Sequence, residues 1–286
     1  MIDQYPAMAA LLAGLCATGC SSSDDSSGTT GRLITLKTRA EVKDDLTQAK
    51  SNALGWSISM TEAYLSVGPL YYYSGDPVLS LRHMEKSSLR SALAMVGDWL
   101  VRPAYAHPGH YIAGAAMGQM LTPTTLDLLA GSVNLADGDG VTGSTNSAKF
   151  TWQSPPKGDL AASLDGHMVL TKGVASKGDM TIHFIAKADE PEVHDGDDKS
   201  EVAGCAFGST PGASGVNMDG NGTVTLTLSP SVWFDEVDFS YVAPGGDAGA
   251  LAPDANGVID IAGTLAWEGF ARGLKKGTAY EFSYTK

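Results

Sequence analysis

The chain has 286 residues, 43% of them hydrophobic and 18% charged, with 34 glycines, 13 prolines and a formal net charge of −13. That length supports one large domain with a proper core, and this much glycine suits a turn-rich β-protein better than a helical one. The acidic balance repels phosphate backbones and anionic membrane surfaces, which excludes nucleic acid as a partner and any attachment to lipid through a basic patch.

The N-terminal run Ala7 to Gly19, "AMAALLAGLCATG", has the length of a signal-peptide apolar region and is too short to span a bilayer. Cys20 follows, and then "SSSDDSSGTTG", a solvated tether without apolar content. An apolar run ending in "ATGC" ahead of a Ser/Asp tether resembles the lipobox of bacterial lipoproteins. The resemblance implies lipidation of Cys20 at the mature N-terminus, and Ser21–Ser22 after it imply outer-membrane sorting. Two features depart from the pattern. Ala17 stands where Leu or Val is usual, and no Lys or Arg precedes Arg32, so the positive leader segment is missing and the true start is expected upstream. The expected organisation is a signal segment over 1–20, a disordered tether over 21–31 and a single domain over 32–286. With Cys16 removed and Cys20 lipidated, Cys205 is the only thiol of the mature domain, which leaves no disulfide framework and is read as a small buried hydrophobe.

In chain order, "RLITLKT" reads as a first strand, and "GWSISM" alternates Trp56, Ile58 and Met60 against serines, the period of a half-buried strand. "AYLSVGPLYYYSGDP" continues in β-favouring residues to a Gly-Asp-Pro turn. One helix is predicted over about 88–101, with Leu89, Leu93, Val96 and Leu100 on one face, Ser87 as N-cap and Pro103 as stop. Strands are predicted over 126–135, 147–153, 166–174, 179–187, 223–229, 231–242 and 278–285, with long polar loops at 189–201 and 243–256. One hairpin is given a register: Ala175 opposite Asp179, a three-residue loop Ser176–Gly178, Leu170 opposite Phe184, and His183 on the outer face opposite Thr171. The fold expected from this pattern is mainly β: an antiparallel β-sandwich-like domain with one amphipathic helix and long polar loops.

Candidate chemistry centres on "HPGH". His107 and His110 flank a Pro-Gly turn that can bring both imidazoles to one side, and imidazole is the commonest metal ligand. Met117 and Met120 offer thioethers that favour Cu(I), and His183 or His167, with His194 a further option, would supply a third donor. Copper or zinc is the expected metal. The alternative is a packed corner locked by Tyr105, His107 and Tyr111. A cupredoxin-type Cys-His-Met loop is absent, since no histidine follows Cys205. A weaker calcium pattern runs through Asn217, Asp219 and Asn221, but Leu228 stands where the bidentate Glu would be. The sequence carries no G-x-S-x-G, no H-E-x-x-H and no phosphate-cradling loop. Asp235, Glu236 and Asp238 among aromatics come nearest to an acid cluster, so no catalytic residue is assigned and a non-enzyme is expected.

The succession "GWSISMTEAYLSVGPLYYYSGDP", "AHPGHYIAGAAMGQML", "VWFDEVDFS" and "GFARGLKKGTAYEFSY" resembles a set of lipoproteins of myxobacteria and related Gram-negatives. The resemblance covers most of 32–286. It implies an envelope location and brings no activity. The reading from sequence is therefore an exported, lipid-anchored binding protein of the outer membrane, facing periplasm or cell surface, holding copper or zinc around His107 and His110. Its membrane contact runs through the lipid anchor alone, and its protein partner is unassigned. A structural or interaction lipoprotein without metal is second, and an envelope hydrolase third.

Overall fold

The computed structural model describes residues 31–78, 111–193, 200–242 and 251–286. The expected helix over 88–101, the HPGH stretch, His194, and the signal segment and tether apart from Gly31 lie outside them. Seventeen strands follow one another: β1 (Leu33–Val42), β2 (Lys50–Ser51), β3 (Ser57–Val67), β4 (Leu70–Tyr73), β5 (Ala116–Met120), β6 (Thr124–Asp127), β7 (Ser132–Asn134), β8 (Gly138–Val141), β9 (Gly143–Thr145), β10 (Ser147–Thr151), β11 (Val169–Lys177), β12 (Met180–Ala188), β13 (Glu201–Gly208), β14 (Val216–Met218), β15 (Gly222–Leu228), β16 (Val258–Asp260) and β17 (Tyr280–Thr285). Helices are few: α1 (Glu190–Val193), α2 (Leu265–Leu274) and short 3-10 turns.

The protein is mainly β, as the alternation demands, but its larger sheet closes on itself. The order β15-β17-β13-β10-β4-β5-β8-β1 returns to β15 through a parallel pairing of β1, from Leu36 opposite Gly222 to Val42 opposite Leu228. The two-sheet sandwich expected from sequence thus gives way to an eight-stranded barrel with a second sheet beside it. Eight strands leave a lumen just wide enough for side chains to fill. Tyr72, Phe207 and Phe282 meet across it, with ring centroids 5.2–6.3 Å apart, and Phe150 stacks on Tyr280 at 4.3 Å. All five rings are fully buried. The second sheet runs β16-β12-β11-β3-β2, with β6 pairing the far end of β3. The chain crosses from this sheet into the barrel at Gly68-Pro69, between β3 and β4.

The hairpin register differs from the expected one. Lys177 pairs with Met180 around a two-residue turn, Gly178–Asp179, and Gly178 takes a φ of +58° at the first central position, where a type II′ turn needs glycine. Ala175 therefore faces Ile182, Phe184 faces Gly173, Leu170 faces Lys187, and His183 faces Val174. The shift changes parity, and a change of parity exchanges the two faces of a strand. β11 turns Thr171, Gly173 and Ala175 inward, opposite Ala186, Phe184 and Ile182. A Cβ on Gly173 would lie 3.0 Å from the Phe184 ring and 2.3 Å from the Ser59 carbonyl, so the small residue makes room for the large one. Phe184 is buried and His183 exposed, as expected; Leu170 is buried outside the main core.

The strand predicted over 231–242 is instead two 3-10 turns, Pro230–Phe234 and Phe239–Tyr241. A strand would send Trp233 and Phe234 to opposite faces. The tight turn buries both, and Asp238 caps the second turn by accepting from the Ser240 amide at 3.0 Å. Over this segment lies α2, capped by Thr264, whose hydroxyl accepts from the Trp267 amide at 3.2 Å. Its Gly269 and Gly273 sit against the carbonyls of Glu236 and Trp233, where an added Cβ would come within 2.6 and 2.3 Å of oxygen.

Candidate functional site

The first candidate is the point on the barrel from which residues 79–110 leave and to which they return. After β4 the chain runs Ser74-Gly75-Asp76-Pro77-Val78, and the Val78 amide donates to the Gly204 carbonyl on β13 at 3.0 Å. On the return side Tyr111 approaches the same Gly204. Ser147 donates its hydroxyl to the Gly75 carbonyl at 2.6 Å, so the Tyr111 hydroxyl, 2.8 Å away, is the donor to Ser147 Oγ. Tyr111 also meets Tyr73 edge to face at 6.3 Å. The Gly75 amide donates to Ala113 O at 2.8 Å and the Ser74 amide to Ala115 O at 3.0 Å. Asn146 Nδ2 donates to Ser74 O at 2.8 Å and to Asp76 Oδ1 at 3.2 Å. Burial pushes the Tyr111 phenol up to about 12, so it stays a neutral donor through the physiological range. Val78 and Tyr111, the residues that flank 79–110, are thus held on one patch of barrel wall. His110 is the residue next to Tyr111 in sequence.

The other expected donors are dispersed. Met117 and Met120, on β5, are buried in the hydrophobic core. His183 stands exposed on β12 of the second sheet. His167 precedes β11, and its Nδ1 lies 2.9 Å from Asp189, which orients the ring and leaves Nε2 without a hydrogen bond among the described residues. With His183 opposite Val174 and His167 before Val169, at least about 17 Å of strand separates the two imidazoles. Neither sits on the barrel wall that anchors Tyr111. Among the described residues, no group of three His, Cys, Asp or Glu is gathered closely enough to hold a metal.

The calcium pattern is taken up by structural contacts. Asn217 lies in β14 opposite Ser144. Asp219 pairs with Lys286 at 3.0 Å, which holds its carboxyl below the ordinary range, and Asn221 Oδ1 accepts from the Thr35 amide at 2.9 Å. The turn therefore ties β1 and β17 together. The acid cluster separates in the same way: Glu236 pairs with Lys276 at 2.8 Å, and Asp238 accepts from the Trp56 indole at 2.9 Å. Cys205 is buried against the Val202 carbonyl, and burial pushes its thiol up to about 12.

One feature was not read from the sequence. A cleft enclosing about 140 Å³ opens between the loop 43–56, β3 and the turn Pro230–Phe234. Leu46, Ile58, Met60 and Phe234 form its apolar lining, and Gln48, Lys50, Ser51, Asn52, Ser231 and Asp235 its polar one. Asn52 fastens its walls, donating to Phe234 O at 2.9 Å and Val237 O at 2.8 Å while accepting from the Leu54 and Trp56 amides. No local pattern marks "DDLTQAKSN" as one wall of a cleft, because the opposite wall lies some 180 residues later in the chain, as the Asn52–Phe234 separation of 182 shows.

Comparison of the chain with protein-family models, with curated proteins and with solved structures finds no match.

Proposed function

We propose that the protein is an exported envelope lipoprotein of binding type, anchored through Cys20, whose solid β-barrel holds Val78 and Tyr111, the residues that flank the segment carrying His107 and His110. The observation that carries this reading is the paired anchorage of these two flanking residues at Gly204, by the Val78 amide and by Tyr111. A lumen filled with aromatic rings leaves binding to the outside of the barrel, where the residues that flank 79–110 are held. The ligand of this reading is copper or zinc, held by His107 and His110 with a further donor, His167 through its Nε2 or His183. Ligation needs neutral imidazoles, so affinity falls as pH drops below about 6.5.

Titration of the protein with Zn²⁺, and with Cu(I) under reducing conditions, tests this directly. Binding is expected at one site and is expected to vanish in the His107→Ala/His110→Ala double variant. Equal binding by both proteins moves the metal elsewhere. Binding by neither favours the second reading, an interaction lipoprotein without metal, which draws support from the placement of Met117 and Met120 in the core and of His167 and His183 on the other sheet. The anchor is tested separately: palmitate labelling from the upstream start is expected, and Cys20→Ser is expected to abolish it.

A further inference from the structure

The cleft between the loop 43–56 and the turn Pro230–Phe234 combines two features that recognise one kind of molecule. Its floor is apolar: Leu46, Ile58, Met60 and Phe234 are all more than nine-tenths buried yet line it. A space of about 140 Å³ takes roughly one six-membered ring, judged against an engineered cavity of roughly that size that accepts benzene. The charges at its wall are unevenly satisfied. Lys50 forms an ion pair with Asp44, and Ser231 donates to the other oxygen of Asp44 at 3.0 Å. Asp44 is thereby held below the ordinary carboxylate range, chiefly by its hydrogen bond to Lys50, and that lysine is committed. Asp235, a half-buried residue, stands in the same lining, and its carboxylate has no hydrogen bond or ion pair among the described residues. Lys50, Asp44 and Asp235 together leave one net negative charge beside an apolar floor.

We propose that this cleft binds a small organic monocation, an amine carried on an apolar body about one ring in size, with Asp235 as counter-ion and Leu46, Ile58, Met60 and Phe234 as the surface for the ring. A carboxylate partly shielded from water gains more from an ammonium partner than an exposed one, and charge-assisted hydrogen bonds are about twice as strong as neutral ones. An anion of the same shape meets Asp235 at close range and is rejected. The site is independent of the histidine pair and of the lipid anchor.

The test uses the whole chain and three probes of one shape: benzylamine, benzyl alcohol and benzoate. Amide chemical shifts are followed by NMR during titration. Benzylamine is expected to saturate below about 10 mM and to move the amides of Leu46, Ser51, Asn52 and Phe234. Benzyl alcohol is expected to bind about tenfold more weakly and benzoate not measurably. Asp235→Asn, which keeps the side chain's shape, is expected to weaken benzylamine about tenfold and leave benzyl alcohol unchanged. Equal binding of amine and alcohol, or an undiminished amine affinity in Asp235→Asn, overturns the proposal. Absence of saturable shifts at these amides in the wild-type protein overturns it without recourse to any variant.

Discussion

The barrel and the second sheet are built from the same kind of strand and differ in closure. In the barrel every strand has a neighbour on each side, and the rings inside it are fully buried. Among the described residues the second sheet ends at β16 on one side and at β2 and β6 on the other, with one face on the core and an outer face carrying His183 and the ion pairs Lys172–Glu62 and Lys187–Asp260. The open cleft lies against β3 of this second sheet, whereas Val78 and Tyr111, which flank 79–110, are fastened to the barrel. Closure buries aromatic rings at one place, and openness leaves a cleft lined by apolar and polar side chains at the other.

The largest effect that tests this contrast is Phe282→Ala. The ring is stacked on Phe207 and set against Tyr72 in a sealed lumen, so the void cannot fill from outside, and a loss of about 3–5 kcal/mol is expected from urea unfolding. A loss below about 1 kcal/mol would show a barrel able to collapse inward. Gly173→Ala probes the open sheet by overpacking. With the Ser59 carbonyl and the Phe184 ring in the way, about 1–3 kcal/mol is expected, and a neutral result contradicts the hairpin register. Asp238→Asn comes next, at about 1 kcal/mol near neutral pH, since it weakens the bonds from the Trp56 indole and the Ser240 amide. Partial burial opposes ionisation of Asp238, but those two donors outweigh it and hold the carboxyl below its ordinary 3.8. Its stabilising contribution is therefore complete above 3.8 and is lost as pH falls through the lower folded-state value. The gap between wild type and Asp238→Asn is expected to close on acidification, which unfolding curves across that range measure. The mildest probe changes no residue. Cys205, buried with its thiol pushed up to about 12, is expected to ignore a thiol reagent at neutral pH until denaturant is added. Prompt labelling at Cys205 of the native protein, located by peptide mapping apart from Cys16 and Cys20, would mean that the barrel wall opens at β13.

Sequence reasoning succeeded where one face was uniformly large and apolar. Val224, Leu226 and Leu228, or Tyr280, Phe282 and Tyr284, alternate cleanly and form β15 and β17 as expected. It failed where packing is complementary. On β11 the inward residues after Val169 are Thr171, Gly173 and Ala175, with Gly173 and Ala175 small opposite Phe184 and Ile182, so ranking positions by apolar size selected the wrong face. The helix α2 was hidden for a related reason. Gly269 and Gly273 each cost about 1 kcal/mol of helix propensity relative to Ala, and that cost allows contact with the backbone of Trp233 and Glu236, which no local window contains. Closure of the sheet was equally invisible, because nothing in β1 names β15 as its partner. Of the candidate site residues, the sequence marked His167, His183, Met117 and Met120 by type alone, and type does not say whether a side chain faces core or solvent.

The parallel seam between β1 and β15 also sets an order of events. Thr35 donates its amide to Asn221, 186 residues further along, at the start of that seam. A chain that emerges N-terminus first, from ribosome or export channel, presents β1 long before the strand that closes it exists. Until then β1 carries a bare row of amides and carbonyls beside Ile34, Leu36 and Ala40, the exposed edge most prone to wrong pairing. Closure over so long a loop is slow, so the protein is expected to fold late, in one step after β17 is free, and to depend on whatever shields its first strand in the meantime.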